Sequence, residues 1–356
     1  VLGYGTVGSG VVEVISTNKE SIAKRIGDDI NIKYVLDLRE FPGSSIENIL
    51  VHDFDTIVND EEVDIVVEAM GGINPAYSFA KASLEHGKSY CTSNKELVAK
   101  YGPELLKLSE KMNKNFLFEA SVGGGIPIIR PLNQSLTADE IMEITGILNG
   151  TTNYILTKMS KEGLDFDTVL KEAQELGYAE RNPEADVEGY DACRKIAILT
   201  SLAYGQHVDY EDIYTEGITA ITDVDFKYAS KMGRVIKLFG KSKRVGDKFF
   251  AMVAPFMIDD NDPLYSVNGV LNGILVKGNV LGDVMFYGSG AGKLPTASAV
   301  VADVVEAAKH LHDTIPNNWS NEEMTLMEPD SVEGRFFVRV KDTSLDEVDK
   351  AFGKVE

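Results

Sequence analysis

The chain opens on Val1-Leu2-Gly3-Tyr4-Gly5-Thr6-Val7-Gly8, a G-x-G-x-x-G preceded by only two residues. This feature constrains the fold most, because glycines at these offsets suit a strand that turns sharply into a helix. Gly3 is expected to make the tight bend, and Gly5 to let the backbone approach a pyrophosphate. Gly8 lets the following helix pack closely on the sheet, so that the helix's free N–H groups, from Thr6 and Val7 onward, face the phosphates. Context favours this over an incidental glycine-rich turn. Residues 7–25 read as a helix, and 30–36 as the next strand. A strand usually has about five residues, so residues are expected to be missing ahead of Val1, and the start says nothing firm about a leader.

A chain of 356 residues exceeds one comfortable core, so two or three domains are expected. No apolar run approaches a membrane span. The net charge of −21 argues against nucleic acid or an anionic membrane as partner, since both are bound through basic surface. Cys91 and Cys193 have neither metal spacing nor a disulfide framework, which fits a reducing, cytoplasmic setting in which both are small buried residues.

The first third alternates strand and helix: strands at 64–70, 88–92 and 115–119, and helices at 74–86 (capped by Asn74, with Pro75 in its first turn) and 103–113. This predicts a doubly wound parallel sheet over residues 1–120. From 121 to 295 the pattern changes. Strands are expected at 140–148, 249–257, 269–277 and 283–287, with helices near 151–161, 168–176, 187–203 and 225–239. That is a second α+β domain, an antiparallel sheet with helices on one face. A helix near 296–312 is expected to return to the first domain. Residues 335–340 and 344–352 read as one further strand and helix.

The segment Gly177-Tyr178-Ala179-Glu180 … Asp186 … Gly189-Tyr190-Asp191 … Lys195 carries candidate chemistry. Asp191 and Lys195 lie four apart and share a helix face. An exposed ion pair is the ordinary reading of that spacing. Here Ala192, Cys193, Ile196, Ala197 and Leu199 make the helix apolar nearly all round, so the pair is expected to be buried. Glu180 and Asp186 are placed to face the same cleft and to suit a substrate ammonium group. Lys95, after Ser93 and Asn94, follows a strand of the first domain, where open α/β sheets bind their ligands.

These residues resemble the signature of homoserine dehydrogenases. Thr92–Lys95, Glu119–Pro127 and Gly146–Tyr154 agree with it in the same order. The resemblance implies NAD(P)-dependent interconversion of L-aspartate 4-semialdehyde and L-homoserine, on the route to threonine, methionine and isoleucine. It implies Lys195 as proton donor and acceptor, assisted by Lys95, with Glu180, Asp186, Asp191, Gly150 and Thr151 holding the amino acid. It further implies a sodium ion on Glu119 and the main-chain oxygens of Val122, Gly124 and Ile126. Gly177 and the segment Gly288–Gly292 are implied cofactor contacts, and a homodimer or homotetramer through the second sheet is expected.

Asp37 closes the second strand, where a carboxylate binds a ribose 2′-hydroxyl and disfavours a 2′-phosphate. Arg39 could serve that phosphate instead, so NAD and NADP both stand, with a lean to NAD. Residues 330–356 are expected to begin a regulatory module of the ACT type, too short here to be complete. Two rivals remain: another nicotinamide-dependent dehydrogenase of a small amino or hydroxy acid, and a dinucleotide sensor without chemistry.

Overall fold

The first lobe is organised around a single buried residue. Leu2 bridges in parallel to Leu36 on one side and to Glu68 on the other. Its N–H donates to Val67 and its carbonyl accepts from Ala69. The structure is a computed structural model and describes residues 1–353.

From the Leu2 strand the chain enters α1 (Thr6–Thr17) and α2 (Lys19–Ile26), then β1 (Val35–Leu36), β2 (Leu50–Val51), α3 (Asp55–Val58) and β3 (Ile65–Glu68). α4 (Ala76–Glu85), β4 (Ser89–Thr92), α5 (Lys95–Lys111), β5 (Phe116–Leu117) and α6 (Ala120–Gly123) complete the first series. With Leu2 included, the parallel order is β2, β1, Leu2, β3, β4, β5. The order reverses direction beside Leu2, so a crevice opens at the carboxyl ends of the strands next to α1.

The second lobe begins with β6 (Ile141–Ile147), α7 (Gly150–Glu162), α8 (Phe166–Glu175), α9 (Glu184–Val187) and α10 (Tyr190–Tyr204). β7 (Tyr214–Thr215), α11 (Asp223–Lys231), β8 (Val235–Val245), β9 (Lys248–Ile258), β10 (Leu271–Gly278) and β11 (Gly282–Ser289) follow. Their sheet runs β11, β10, β6, β8, β9, β7, antiparallel except for the β7–β9 pair. Ile144, Ile274, Leu238 and Val253 join the large core that includes Ile155 and Ile196 of α7 and α10. Ile147, Phe239, Leu264 and Val267 form a separate small core. α12 (Lys293–Lys309) then returns to the first lobe, where Ala297, Val300 and Val304 pack with Val11, Ile15 and Val67. α13 (Leu345–Phe352) stands on the surface.

Several expected elements take a different form. The helix expected over 7–25 is two, divided at Asn18, which ends α1 and starts α2. Of 30–36, only Val35 and Leu36 pair. Pro75, not Asn74, holds the cap position of α4. α5 starts at Lys95, with Pro103 in its interior, because the Asn94 side chain accepts the Leu97 N–H and nucleates the helix two turns earlier than the proline suggests. Residues 225–239 are not one helix: Gly233, at φ +66°, ends the turn after α11, and β8 begins at Val235. Gly189, at φ +84°, separates α9 from α10. Residues 335–340 join no sheet among the described residues, and Phe336 is 77% exposed. Lys354 to Glu356, the end of the expected regulatory segment, lie outside the described residues.

A strap links the lobes beyond α12. The Asn115 amide donates to the carbonyls of His310 and Asp313, and Trp319 fits over Gly102, where a Cβ would lie 2.8 Å from the indole. The strap then reaches the second lobe, where the His207 N–H donates to Glu322 and its carbonyl accepts from Met324.

Where the first lobe hands over to the second, three charges share one buried site. Asp303 of α12 accepts from Arg130 Nη2 at 2.6 Å and from the Glu119 N–H at 2.8 Å. Burial and the neighbouring Glu119 carboxylate push the Asp303 carboxyl up. Arg130→Ala leaves the buried Asp303 without its cation and beside the Glu119 carboxylate. It is expected to cost about 3 kcal/mol, read as a lower urea midpoint with an unchanged m-value.

Candidate active site

The glycine turn has the geometry that its spacing demands. Gly3 is left-handed at φ +88°, and a Cβ on Gly8 would lie 1.8 Å from the Gly3 carbonyl oxygen. Gly5 faces open space and precedes α1 with no side-chain cap, so the N–H groups at Thr6 and Val7 are offered outward. A phosphate group fits this cradle. At the end of β1, Asp37 accepts the Tyr4 N–H at 2.8 Å. Arg39 grips the same carboxylate through Nε at 2.9 Å and Nη2 at 2.8 Å. That grip holds the Asp37 carboxyl well below the usual carboxylate range.

The second constellation comes from both lobes. Lys95, at the start of α5, is positioned by the Asn94 cap. α10 crosses toward it from the second sheet and carries Asp191 in its first turn and Lys195 one turn on. Asp191 Oδ1 meets Lys95 Nζ at 2.7 Å, and Asp191 Oδ2 meets Lys195 Nζ at 2.7 Å. Lys195 also donates to the Leu148 carbonyl at 2.8 Å, which leaves one of its three hydrogens uncommitted. Lys195 is 9% exposed, whereas the Lys95 side chain is 38% exposed at the rim. Burial pushes the Asp191 carboxyl up, but Lys195 and then Lys95 overcome it and hold the group far below its ordinary value. Attraction to Asp191 outweighs burial for Lys95, whose ammonium is held above its usual range.

Asn149, the cap of α7, ties this cluster to the acid next to it. Its Nδ2 donates to Asp186 Oδ1 at 2.7 Å and to Asp191 Oδ2 at 2.9 Å. Burial, then the charge of Asp191, pushes the half-buried Asp186 carboxyl up. Gly150 and Thr151 begin α7 beside this pair, and the Thr151 hydroxyl donates to the Tyr178 carbonyl at 2.6 Å. A Cβ on Gly150 would lie 2.7 Å from the Val270 carbonyl oxygen, so the turn packs directly on the backbone that leads into β10.

Other expected site residues lie further out. The Glu180 side chain is exposed and makes no hydrogen bond to the lysine–aspartate cluster among the described residues; its carbonyl accepts from Gln174. Ser93 is half-buried beside Asn94. Gly177, exposed at φ +75°, turns the chain back over the end of α8. Gly292 sits at the head of α12, and Lys293 beside it pairs with Glu13 of α1. The segment 288–292 is therefore next to the glycine turn's helix.

The residues proposed for a cation divide into two kinds. The Glu119 carboxylate accepts the N–H groups of Ile128 and Ile129 on Oε1 and of Arg130 on Oε2. Three loop N–H groups thus fix the carboxylate in place, and it braces the loop. Main-chain oxygens at Val122, Gly124 and Ile126 remain a donor set suited to a hard monovalent cation. No group of three or more His, Cys, Asp and Glu side chains is placed to hold a metal among the described residues.

Two residues that hold the site carry no role in the sequence reading. Glu68 accepts from Met70 and Gly71 on one oxygen and from Thr92 on the other, joining the ends of β3 and β4. Asn149 shows a cap signature, an Asn ahead of a helix, but its link to Asp186 spans 37 residues.

A parallel dinucleotide-type sheet facing a buried lysine–aspartate cluster from a second lobe defines a class: nicotinamide-dependent oxidoreductases of two lobes. A sequence model of the homoserine dehydrogenase NAD-binding domain matches residues 3–119, and one of homoserine dehydrogenase matches 127–305. The chain belongs to the homoserine dehydrogenase family. It is 47% identical to homoserine dehydrogenase of Synechocystis over 312 residues, which cover 86% of this chain and 72% of that one. To the Bacillus subtilis enzyme it is 40% identical over 346 residues, 96% and 80% of the two chains. The crystal structure of a Thiobacillus denitrificans homoserine dehydrogenase superposes with TM-score 0.88 at 39% identity, over 93% of this chain and 79% of that one. A hyperthermophilic archaeal homoserine dehydrogenase in complex with NADPH superposes with TM-score 0.72 at 29% identity, over 86% and 95%. No described helix is long and apolar enough to cross a membrane.

Asp191→Asn keeps the shape of the carboxylate but removes the charge that two lysines share. The variant is expected to lose about 3 kcal/mol of stability, measured by urea denaturation, because the buried Lys195 is left without its counter-ion.

Proposed function

We propose that this chain interconverts L-homoserine and L-aspartate 4-semialdehyde with NAD(P), on the route to threonine, methionine and isoleucine. The observation that carries this reading is the convergence of Lys95 and Lys195, each 2.7 Å from a different oxygen of Asp191. The dinucleotide, when bound, supplies the hydride acceptor. Gly3, Gly5, Gly8 and the start of α1 hold its pyrophosphate, while Ser93 and the 288–292 segment border its redox end. Gly150 and Thr151, at the head of α7, offer backbone N–H groups to the substrate carboxylate, the Thr151 hydroxyl being held by the Tyr178 carbonyl. Asp186 and Glu180 suit the ammonium group, Glu180 by closing in from its exposed position.

The chemistry needs a proton to leave the homoserine hydroxyl as the carbon loses hydride. The uncommitted hydrogen of Lys195 is the proton to give to the substrate oxygen as the semialdehyde is reduced, and in the oxidation direction the amine, having first released that hydrogen, takes the hydroxyl proton back. Lys95, at the rim, stabilises negative charge on the same oxygen. Main-chain oxygens of Val122, Gly124 and Ile126 would seat sodium, and Glu119 braces the loop that presents them. We assign residues 1–120 with the returning helix to cofactor binding and 121–295 to substrate binding. A homodimer or homotetramer forms through the second sheet, whose edge strand β11 exposes Met285 and Tyr287.

Homoserine with NAD⁺ is expected to raise absorbance at 340 nm, and Lys195→Ala to abolish this with dinucleotide affinity retained. Reduction with lactate, malate, glutamate or saccharopine, but not homoserine, would overturn the assignment. Because Asp37 carries a carboxylate that Arg39 already engages, NAD⁺ is expected to be preferred. Asp37→Ser should lower KM for NADP⁺ relative to NAD⁺ by about tenfold, and an unchanged KM ratio would remove Asp37 from cofactor selection.

A further inference from the structure

Both ends of the Asn149 amide are engaged, the oxygen by α7 and the NH₂ by two carboxylates. Its Oδ1 accepts the Thr152 N–H at 2.9 Å and the Thr152 hydroxyl at 3.1 Å, which caps α7. Both hydrogens of Nδ2 go to carboxylates, Asp186 at 2.7 Å and Asp191 at 2.9 Å. The side chain is 6% exposed. Turning the amide over would set its oxygen against two carboxylates and its NH₂ against the helix N–H, so only one orientation is tolerated. A cap alone needs only an acceptor, and Ser or Asp supplies it nearly as well as Asn. The two donors serve something beyond the helix.

We infer that Asn149 is a positioning residue for the dehydrogenase reaction: its two N–H donors hold Asp186 beside Asp191 and lock both acids to the Gly150–Thr151 turn. The inference rests on the reading given under Proposed function. The groups that face Asp186 are Asp191 and Lys195 from α10, Lys95 from α5 and Asn149 from the head of α7. Burial and Asp191 favour the protonated acid; the Asn149 donor is the strongest opposing influence, ahead of Lys195 and Lys95. Without the donor, Asp186 takes up its proton at higher pH. An ammonium substrate then loses its counter-charge, and the turn that seats its carboxylate loses its link to the acids.

The test uses the full chain and two variants that preserve the cap, Asn149→Ser and Asn149→Asp. Homoserine oxidation by the unaltered protein comes first; no turnover there would defeat the functional reading and not this inference. For N149S we expect a single cooperative urea transition at a lowered midpoint and unchanged dinucleotide affinity by fluorescence titration. KM for homoserine should rise about tenfold, the equivalent of one charge-assisted hydrogen bond, with the acid limb of kcat/KM moved to higher pH. N149D places a third carboxylate at the site and should move that limb further. A ¹³C NMR titration of the Asp186 carboxyl reads the same shift without turnover. If either variant folds with an unaltered KM, acid limb and Asp186 titration, Asn149 is a helix cap and nothing more.

Discussion

One carboxylate, Asp191, sets the spacing of the whole centre. A buried acid is costly unless it is paired, and this one is paired with two lysines that arrive from different lobes. Each lysine depends on Asp191 as much as it depends on them. Lys195 needs a counter-ion because it lies inside an apolar helix, and Lys95 gains a fixed direction from a partner that cannot move. The ion triad is therefore also a distance constraint between α5 and α10, and so between the two sheets. The separation of the two candidate lysines follows from that constraint.

Close backbone approach does comparable work elsewhere. Gly3 and Gly8 bring α1 onto the first sheet with no room for a methyl group between them. Gly124 and Gly290 do the same between lobes: a Cβ on Gly124 would lie 2.2 Å from the Gly290 carbonyl oxygen, and Gly125 donates to Ser289. Side chains on these segments would push the lobes apart and take Lys95 away from Asp191. The Glu119–Arg130–Asp303 cluster stands at the same crossing and ties the returning helix to the loop.

Much of this was legible in the residues because it depends on local chemistry. The glycine turn has few alternatives, and an aspartate and lysine four apart on an apolar helix must meet. The buried apolar runs of the parallel sheet and the four strands near 140–148, 249–257, 269–277 and 283–287 were readable for the same reason. Elements decided by distant contacts were not. Val235–Phe239 is apolar enough to continue a helix, and only its pairing with β9 makes it a strand. Pro103 marks a helix start by local rules, yet the Asn94 cap overrides it. Glu180 belongs to the resembling motif but stands in solvent. The amide of Asn149 binds acids far along the chain, and no spacing rule reports such a link.

The strap over Gly102 has a mechanical consequence. Asn115 holds one end, Trp319 is seated in the middle, and His207 holds the other end on the opposite lobe. A hinge motion that widens the crevice must either draw the indole from its seat or break the His207 ladder. The tether thus couples the seat of one indole to the separation of the two lobes.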